Sequence, residues 1–220
     1  MKGDETISAR LYYNWDSSAG NVFPIAVEMF QSLPTEYASK RLLLRRYRPE
    51  DAPAYFRMLG ENQAHLREFM PANLVNVQNA DDVRAVIEWQ IAEWQRGELF
   101  IMGLWEKSSG EYVGEVYLAN ADWDVPCIEV GYFTVQHQGG KGYASEACRE
   151  ACRIAFERLG VRRVELQCAA DNDKSARVAQ RCGFTLEGCL RERSHKKDGP
   201  PVDRLWFGLL HGEWQDSLKR

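Results

Sequence analysis

From about residue 39 onward, apolar and polar positions recur with regular periods. "KRLLLRRY" (40–47) reads as a strand, its leucines set among charge as on a sheet edge. "RPEDAPAYFRMLG" (48–60) has an acidic start and a glycine stop, which predicts a helix. In "DDVRAVIEWQIAEWQRG" (81–97), Val83, Val86, Ile87, Gln90, Ile91 and Trp94 fall on one helical face. Asp81 and Asp82 suit the positive end of that helix, and Gly97 its stop. "ELFIMGLWEK" (98–107) and "EYVGEVYLA" (111–119), joined through "SSG", predict a hairpin, and "CIEVGYFTV" (127–135) a further strand.

A helix follows over roughly 142–158, its buried stripe marked by Ala144, Ala147, Cys148, Ala151, Ala155, Phe156 and Leu159. "RRVELQCA" (162–169) reads as a strand, and "NDKSARVAQRCG" (172–183) as a helix ending on glycine. "FTLEGCLRER" and "DRLWFGLL" close the chain as strands, with "KKDGPP" as the turn. An antiparallel run, then β-α-β-α-β, then a hairpin predicts an α+β fold: a mixed, mostly antiparallel central sheet with helices on both faces.

Residues 1–37 are patterned differently, with turn residues in "NWDSSAGNVFP" (14–24) and a linker-like "SLPTEYASK" (32–40). They are expected to form an N-terminal extension to one domain over 38–220. Packing on that domain, mediating a homodimer and remaining mobile are all open for this extension, and "FPIAVEMF" (23–30) is apolar enough to favour packing. The 220 residues are 45% hydrophobic, which suits a single core. A net charge of −4 without a long basic patch argues against nucleic-acid binding. No signal-peptide core or membrane-length apolar run is present, so the expectation is a soluble, cytoplasmic protein with no membrane partner. Six cysteines form no CxxC pair, and Cys148 and Cys152 have no matching pair at zinc spacing. They are expected to be reduced, mostly buried thiols, and no metal is expected.

The sharpest local feature is "GGKGYASEA" (139–147), three glycines beside the start of a helix. Helix N-terminal N–H groups lack intrahelical partners, and missing side chains let a phosphate approach them. Gly139, Gly140, Lys141, Gly142, Tyr143, Ala144 and Ser145 therefore read as a pyrophosphate cradle. A plain strand-to-helix turn would use the same residues. The stretch is not a Walker A loop, because Tyr143 follows Gly142, and a dinucleotide fingerprint would need glycine where Ser145 stands.

Taken together, "EVGYF", "GGKGYASEA", "RVELQCA" and "NDKSARVAQRCGFTLEG" resemble the GNAT N-acetyltransferase superfamily, in its RimJ/RimL branch. The likeness covers about residues 39–214, including "RLLLRRYRPED" and "DRLWFGLLHGEW". It implies acetyl-CoA as cosubstrate, its pyrophosphate on the 139–144 loop. The superfamily's Gln or Arg at the head of that signature is Gly139 here, with Gln138 one residue early.

Amine attack on a thioester needs a base, a donor to the oxyanion and an acid for the departing thiolate. The resemblance implies that backbone groups of Phe133, Thr134 and Val135 pair with the pantetheine arm, with an oxyanion-binding amide near Phe133 or Thr134. It makes Glu129 the candidate base, a peripheral or substrate-orienting carboxylate being the alternative. The superfamily's helix tyrosine is Ala179 here. The branch's N-x-x-S instead matches Asn172, as a coenzyme contact, and Ser175, as the thiolate partner; Asn172 also suits a helix N-cap. The branch's second carboxylate falls on Ser194. Glu192 and His195 read as a solvated hairpin, Lys141, Lys174 and Arg177 as cations near the phosphates or on the surface, and Trp89, Trp94 and Trp105 as core.

The expected activity is acetyl transfer to a primary amine. Protein N-termini, polyamines, amino acids and aminoglycosides are all open as acceptors, met by the segments 61–76 and 192–202. A non-catalytic acetyl-CoA-binding module and a nucleotide-binding module are the competing readings.

Overall fold

The computed structural model describes residue 30 and residues 33–66, 77–195 and 199–219. Most of the expected extension and part of both expected acceptor segments lie outside the described residues. The strands are β1 (Glu36–Ala38), β2 (Leu42–Arg45), β3 (Leu99–Glu106), β4 (Tyr112–Asp122), β5 (Cys127–Thr134), β6 (Arg163–Ala169), β7 (Thr185–His195) and β8 (Pro201–Leu210). The helices are α1 (Ala52–Glu61), a single turn α2 (Gln63–Leu66), α3 (Ala80–Arg96), α4 (Tyr143–Glu157), α5 (Asp173–Arg181) and α6 (His211–Ser217).

The strands form one sheet in the order β1-β2-β3-β4-β5-β6-β8-β7, antiparallel throughout except for β5 beside β6. The α+β architecture expected from the pattern is present. Both faces are covered, so β3 is buried on successive residues from Leu99 to Leu104 rather than on alternate ones. Under one face, Ala147, Cys148, Ala151 and Ala155 of α4 pack with Leu44, Met102, Leu118, Val130 and Leu166. Under the other, Tyr55 and Leu59 of α1 and Val83 and Ile87 of α3 pack with Tyr47, Ile101 and Ala119. The first is called here the α4 face and the second the α1 face. Among the described residues no helix is long and apolar enough to cross a membrane. The cysteines are free thiols, three of them (Cys148, Cys152 and Cys168) buried.

Two elements differ from expectation. The segment read as a linker contains β1, whose Glu36–Ala38 pair with β2, so the sheet starts inside the expected extension. "HGEW", following the last strand, continues as α6, whose Trp214 stacks on Phe156 at 5.1 Å. α3 begins one residue earlier than its aspartates suggested, because the Oδ1 of Asn79 accepts from the N–H groups of Asp81 and Asp82.

Below α1 lies a polar cluster that pattern reading cannot distinguish from core. Glu115 is buried on β4, and its Oε2 accepts from the hydroxyls of Tyr47 at 2.9 Å and Tyr55 at 3.0 Å. Tyr112 reaches the Tyr47 hydroxyl at 2.8 Å. Burial raises the Glu115 carboxyl to about 7, against the smaller opposing pull of the two tyrosines. Its neutral form is favoured in the fold, so this contribution to stability is present below about pH 4.5 and is lost as pH rises through 7. Urea unfolding at pH 4.5 and pH 8 should show Glu115→Gln losing roughly 3 kcal/mol less than the parent chain over that interval.

Candidate active site

β5 and β6 are parallel neighbours for only three positions, Cys127 with Arg163, Ile128 with Val164 and Glu129 with Glu165. Beyond Glu129 the two strands part, while β5 stays paired to β4 as far as Thr134 and β6 to β8 as far as Ala169. The result is a wedge, open toward the loop that leads into α4.

That loop has the shape the cradle requires. Gly140 and Gly142 have φ of +79° and +82°, the left-handed region that side chains disfavour. Gly142 is the N-cap of α4 and offers no capping side chain. Among the described residues the N–H groups of Gly140 to Ser145 meet no acceptor; the first N–H to do so is that of Glu146, on the Gly142 carbonyl. Gly139 differs, with φ of −61°, a conformation open to any residue. The Lys141 ammonium folds back on Gln138, donating to its Oε1 at 2.6 Å, and Gln138 is buried.

Arg41, the residue before β2, braces the loop and was not singled out by the sequence. Its Nη1 donates to the Lys141 carbonyl at 3.0 Å and its Nε to Glu146 Oε2 at 2.7 Å, and its guanidinium lies over the Tyr143 ring at 4.6 Å. Ser39 Oγ and the Arg41 N–H both donate to Glu146 Oε1. These bonds hold the Glu146 carboxyl below its ordinary range against partial burial, and the arginine offsets a negative charge that would otherwise oppose an anion at this helix end. No sequence signal links Arg41 to a loop one hundred residues away.

Strand alternation decides which β5 groups line the wedge. The Val135 N–H donates to the Val113 carbonyl and the Val135 carbonyl accepts from Gln138. The Phe133 carbonyl points at β4, where a Cβ on Gly114 would stand 2.2 Å from it. Backbone groups of alternate residues point the same way. Phe133 and Val135, expected to meet the pantetheine arm, therefore turn toward β4. Tyr132 and the Thr134 carbonyl face the wedge, and the expected backbone contacts shift accordingly.

On the α4 face of the wedge, the Ser175 hydroxyl meets the Tyr132 hydroxyl at 3.0 Å. Ser175 sits in the first turn of α5 because Asn172 caps that helix, accepting from the Ser175 N–H at 3.1 Å. Ala179, where the superfamily's tyrosine would stand, is fully buried. Tyr132 thus brings a phenol to the helix from the opposite wall. Burial keeps that phenol far above its ordinary range, so it remains an O–H donor.

On the α1 face, Glu129 stands where the strands part. Its Oε2 accepts from Asn120 Nδ2 at 3.0 Å and Gln167 Nε2 at 3.1 Å. Burial raises its carboxyl above the ordinary range, opposed by the Asn120 bond and by Arg204. Asn120 lies at a break in the β4–β5 register and has φ of +53°; such irregularities re-aim side chains. Tyr117, opposite Gly131 on β5, lays its ring across that glycine: an added Cβ would stand 2.1 Å from the Tyr117 hydroxyl. Asn120, Tyr117 and Gly131 were missed, because only the paired register shows that they surround Glu129.

Other expected residues lie apart. Ser194 Oγ accepts from Arg204 at 3.0 Å. Glu192 is exposed on β7, and Lys174 and Arg177 are on α5. Residues 67–76 and 196–198 of the expected acceptor segments lie outside the described residues. Trp94 belongs to the core of the α4 face, and Trp89 and Trp105 pack from partly buried positions against the core of the α1 face.

Residues 41–185 match the acetyltransferase (GNAT) domain family. YdaF of Bacillus subtilis strain 168, provisionally named a ribosomal N-acetyltransferase, is 31% identical over 189 residues, covering 85% of this chain and 98% of its own. A crystal structure described as a probable acetyltransferase shares 28% identity and a TM-score of 0.74, covering 81% of this chain and 98% of that one. RimL, described as a ribosomal L7/L12 α-N-protein acetyltransferase in complex with coenzyme A, has the same fold, with a TM-score of 0.70 at 24% identity over 80% of this chain and 96% of its own.

The loop geometry distinguishes two of its glycines. Gly142→Val, forced into the left-handed region, should raise the acetyl-CoA Kd at least about tenfold, or about 1.4 kcal/mol. Gly139→Gln, in ordinary backbone, should leave it unchanged or lower. Isothermal titration calorimetry with acetyl-CoA checks both.

Proposed function

The chain belongs to the GNAT acetyltransferase family and is an acetyl-CoA-dependent N-acetyltransferase, and we propose that its acceptor is the α-amine of a protein, acetylated directly in the wedge between β5 and β6. The observation that carries this reading is the division of labour across the wedge: a carboxylate on one face, a pair of hydroxyls on the other, and unpartnered amides at its mouth. A protein α-amine is supported by the names of relatives, YdaF as a ribosomal N-acetyltransferase and RimL as a ribosomal L7/L12 α-N-protein acetyltransferase. A cytoplasmic setting suits such an acceptor.

The residues present fit the coenzyme. Gly140, Lys141, Gly142, Tyr143, Ala144 and Ser145 offer N–H groups at a helix N-terminus, which suits a diphosphate. Asn172, whose Oδ1 is engaged in capping, has its amide N–H groups for the coenzyme. The Tyr132 backbone, turned toward the wedge, suits an amide-bearing arm, and the Tyr132 N–H is the oxyanion donor nearest the apex. When bound, acetyl-CoA supplies an activated acyl thioester. Glu129 receives the amine proton on the α1 face; its raised carboxyl brings it nearer the pKa an effective base needs. Asn120 and Gln167 fix its orientation. Ser175 donates toward the sulfur on the α4 face, its proton supported by the Tyr132 O–H.

Thiol release from acetyl-CoA, measured with a hexapeptide beginning with serine and with spermidine, tests the acceptor class. Faster turnover of the peptide is expected; turnover of spermidine alone overturns the protein acceptor. Ser175→Ala should lower kcat at least tenfold with acetyl-CoA Kd within twofold, since a positioned proton donor contributes about 10²–10⁴ in rate. Unchanged kcat removes Ser175 from its role. Glu129→Gln should lower kcat/KM and abolish an acidic limb of the pH profile lying above the ordinary carboxylate range, the direction set by burial.

A further inference from the structure

On the α1 face of the wedge, one cation has only neutral partners. Arg204 of β8 is half-buried, opposite Ala169 of β6. Its Nη1 donates to Gln167 Oε1 at 3.3 Å and its Nη2 to Ser194 Oγ at 3.0 Å. Its Nε is buried and meets no acceptor. Among the described residues no carboxylate stands within ion-pair distance of it. Arg163, on the neighbouring strand and the same face, is the contrast: Glu165 takes its Nε at 2.8 Å and Glu187 takes both of its terminal nitrogens.

The arrangement keeps two opposite charges from neutralising each other. Gln167 donates from Nε2 to Glu129 and accepts at Oε1 from Arg204. One amide therefore spans the gap between a carboxylate and a guanidinium. A partly desolvated cation without a counter-ion is costly, and a planar guanidinium is matched in geometry by a carboxylate. The molecule that would satisfy both groups carries an amine at Glu129 and an anion one short reach away.

We propose that Arg204 is the anion receptor of the acceptor site, and that the acceptor is an amine bearing a carboxylate close to the reacting nitrogen. This rests on the reading of Glu129 as the group that meets the amine. The carboxylate could come from an acidic second residue of a protein N-terminus or from a free amino acid. Polyamines and aminoglycosides, cationic throughout, place a positive charge beside Arg204 and are disfavoured.

The test compares acetyl transfer to hexapeptides beginning Ser-Asp and Ser-Lys, to free serine, and to spermidine, at fixed saturating acetyl-CoA. The Ser-Asp peptide should exceed Ser-Lys at least tenfold in kcat/KM, and spermidine should be slowest. Faster transfer to free serine than to either peptide would keep the anion receptor and assign the carboxylate to a free amino acid. Arg204→Gln should bring the two peptides within twofold of each other, and Arg204→Glu should reverse their order, with acetyl-CoA Kd unchanged in both. Ser194→Glu retains Arg204 but supplies it with a carboxylate in cis, and should also erase the preference. Equal rates with Asp and Lys peptides in the parent chain, a preference for the Lys peptide or spermidine, or a preference that survives Arg204→Gln overturns the inference while leaving acetyl transfer itself intact. Absence of thiol release with every amine in the parent chain removes the acetyl-transfer reading, and this inference with it.

Discussion

Two parallel strands that share hydrogen bonds for three positions and then part leave backbone donors and acceptors that something must satisfy. The proposed site is arranged around that omission. β5 cannot close the gap, because β4 holds it along its length to Thr134, and β6 cannot, because β8 holds it to Ala169. The unmade ladder is therefore a fixed slot whose walls are each secured by an antiparallel neighbour. An extended molecule carrying its own amides is complementary to such an edge, and the amides of the Gly140–Ser145 loop lie at the end where its charged part would emerge.

The slot separates chemistry by face. Because side chains alternate across a strand, Glu129 and Tyr132 on the same strand point to opposite sides of the sheet. The groups around Glu129 come from β4, β6 and β8; those around Tyr132 come from α5. A base and an acid proposed on opposite sides would not exchange a proton directly. The left-handed backbone at Asn120 belongs to the same design. A regular strand would aim residue 120 away from Glu129, and the register break turns it back.

Periodicity made the fold legible, and the glycine loop made the coenzyme end legible. Hydrophobic stripes located the long helices and all the longer strands. Two elements escaped. β1 has three residues, only one of them buried, too short for a period to register, and α6 carries few apolar positions. Of the proposed site, residues on one continuous stretch were readable in the sequence: the 139–145 loop, Ser175 beside its cap Asn172, and Glu129 on the strand before the loop. Residues brought in by pairing were not. Tyr117 and Asn120 on β4, Gln167 on β6 and Arg204 on β8 are placed together only by register, and Arg41 reaches the glycine loop from just before β2. The error over Phe133 and Val135 has the same origin: which way a backbone amide points depends on which neighbour β5 chose for pairing.

Among the described residues burial raises three carboxyls, Glu98, Glu115 and Glu129, and titration alone would favour Glu115 as a base, since it lies at about 7. Geometry decides against it. Glu115 is sealed under α1 by Tyr47 and Tyr55, whose hydroxyls donate to it from above, and it lies on β4, with β5 between it and the wedge. A substrate amine would have to displace both tyrosines to reach it. Glu129 is held from the side, by Asn120 and Gln167, both bonding one oxygen and leaving its approach to the apex of the wedge. Placement at the point where the ladder stops, rather than the size of a shift, is what makes a buried carboxylate usable for catalysis.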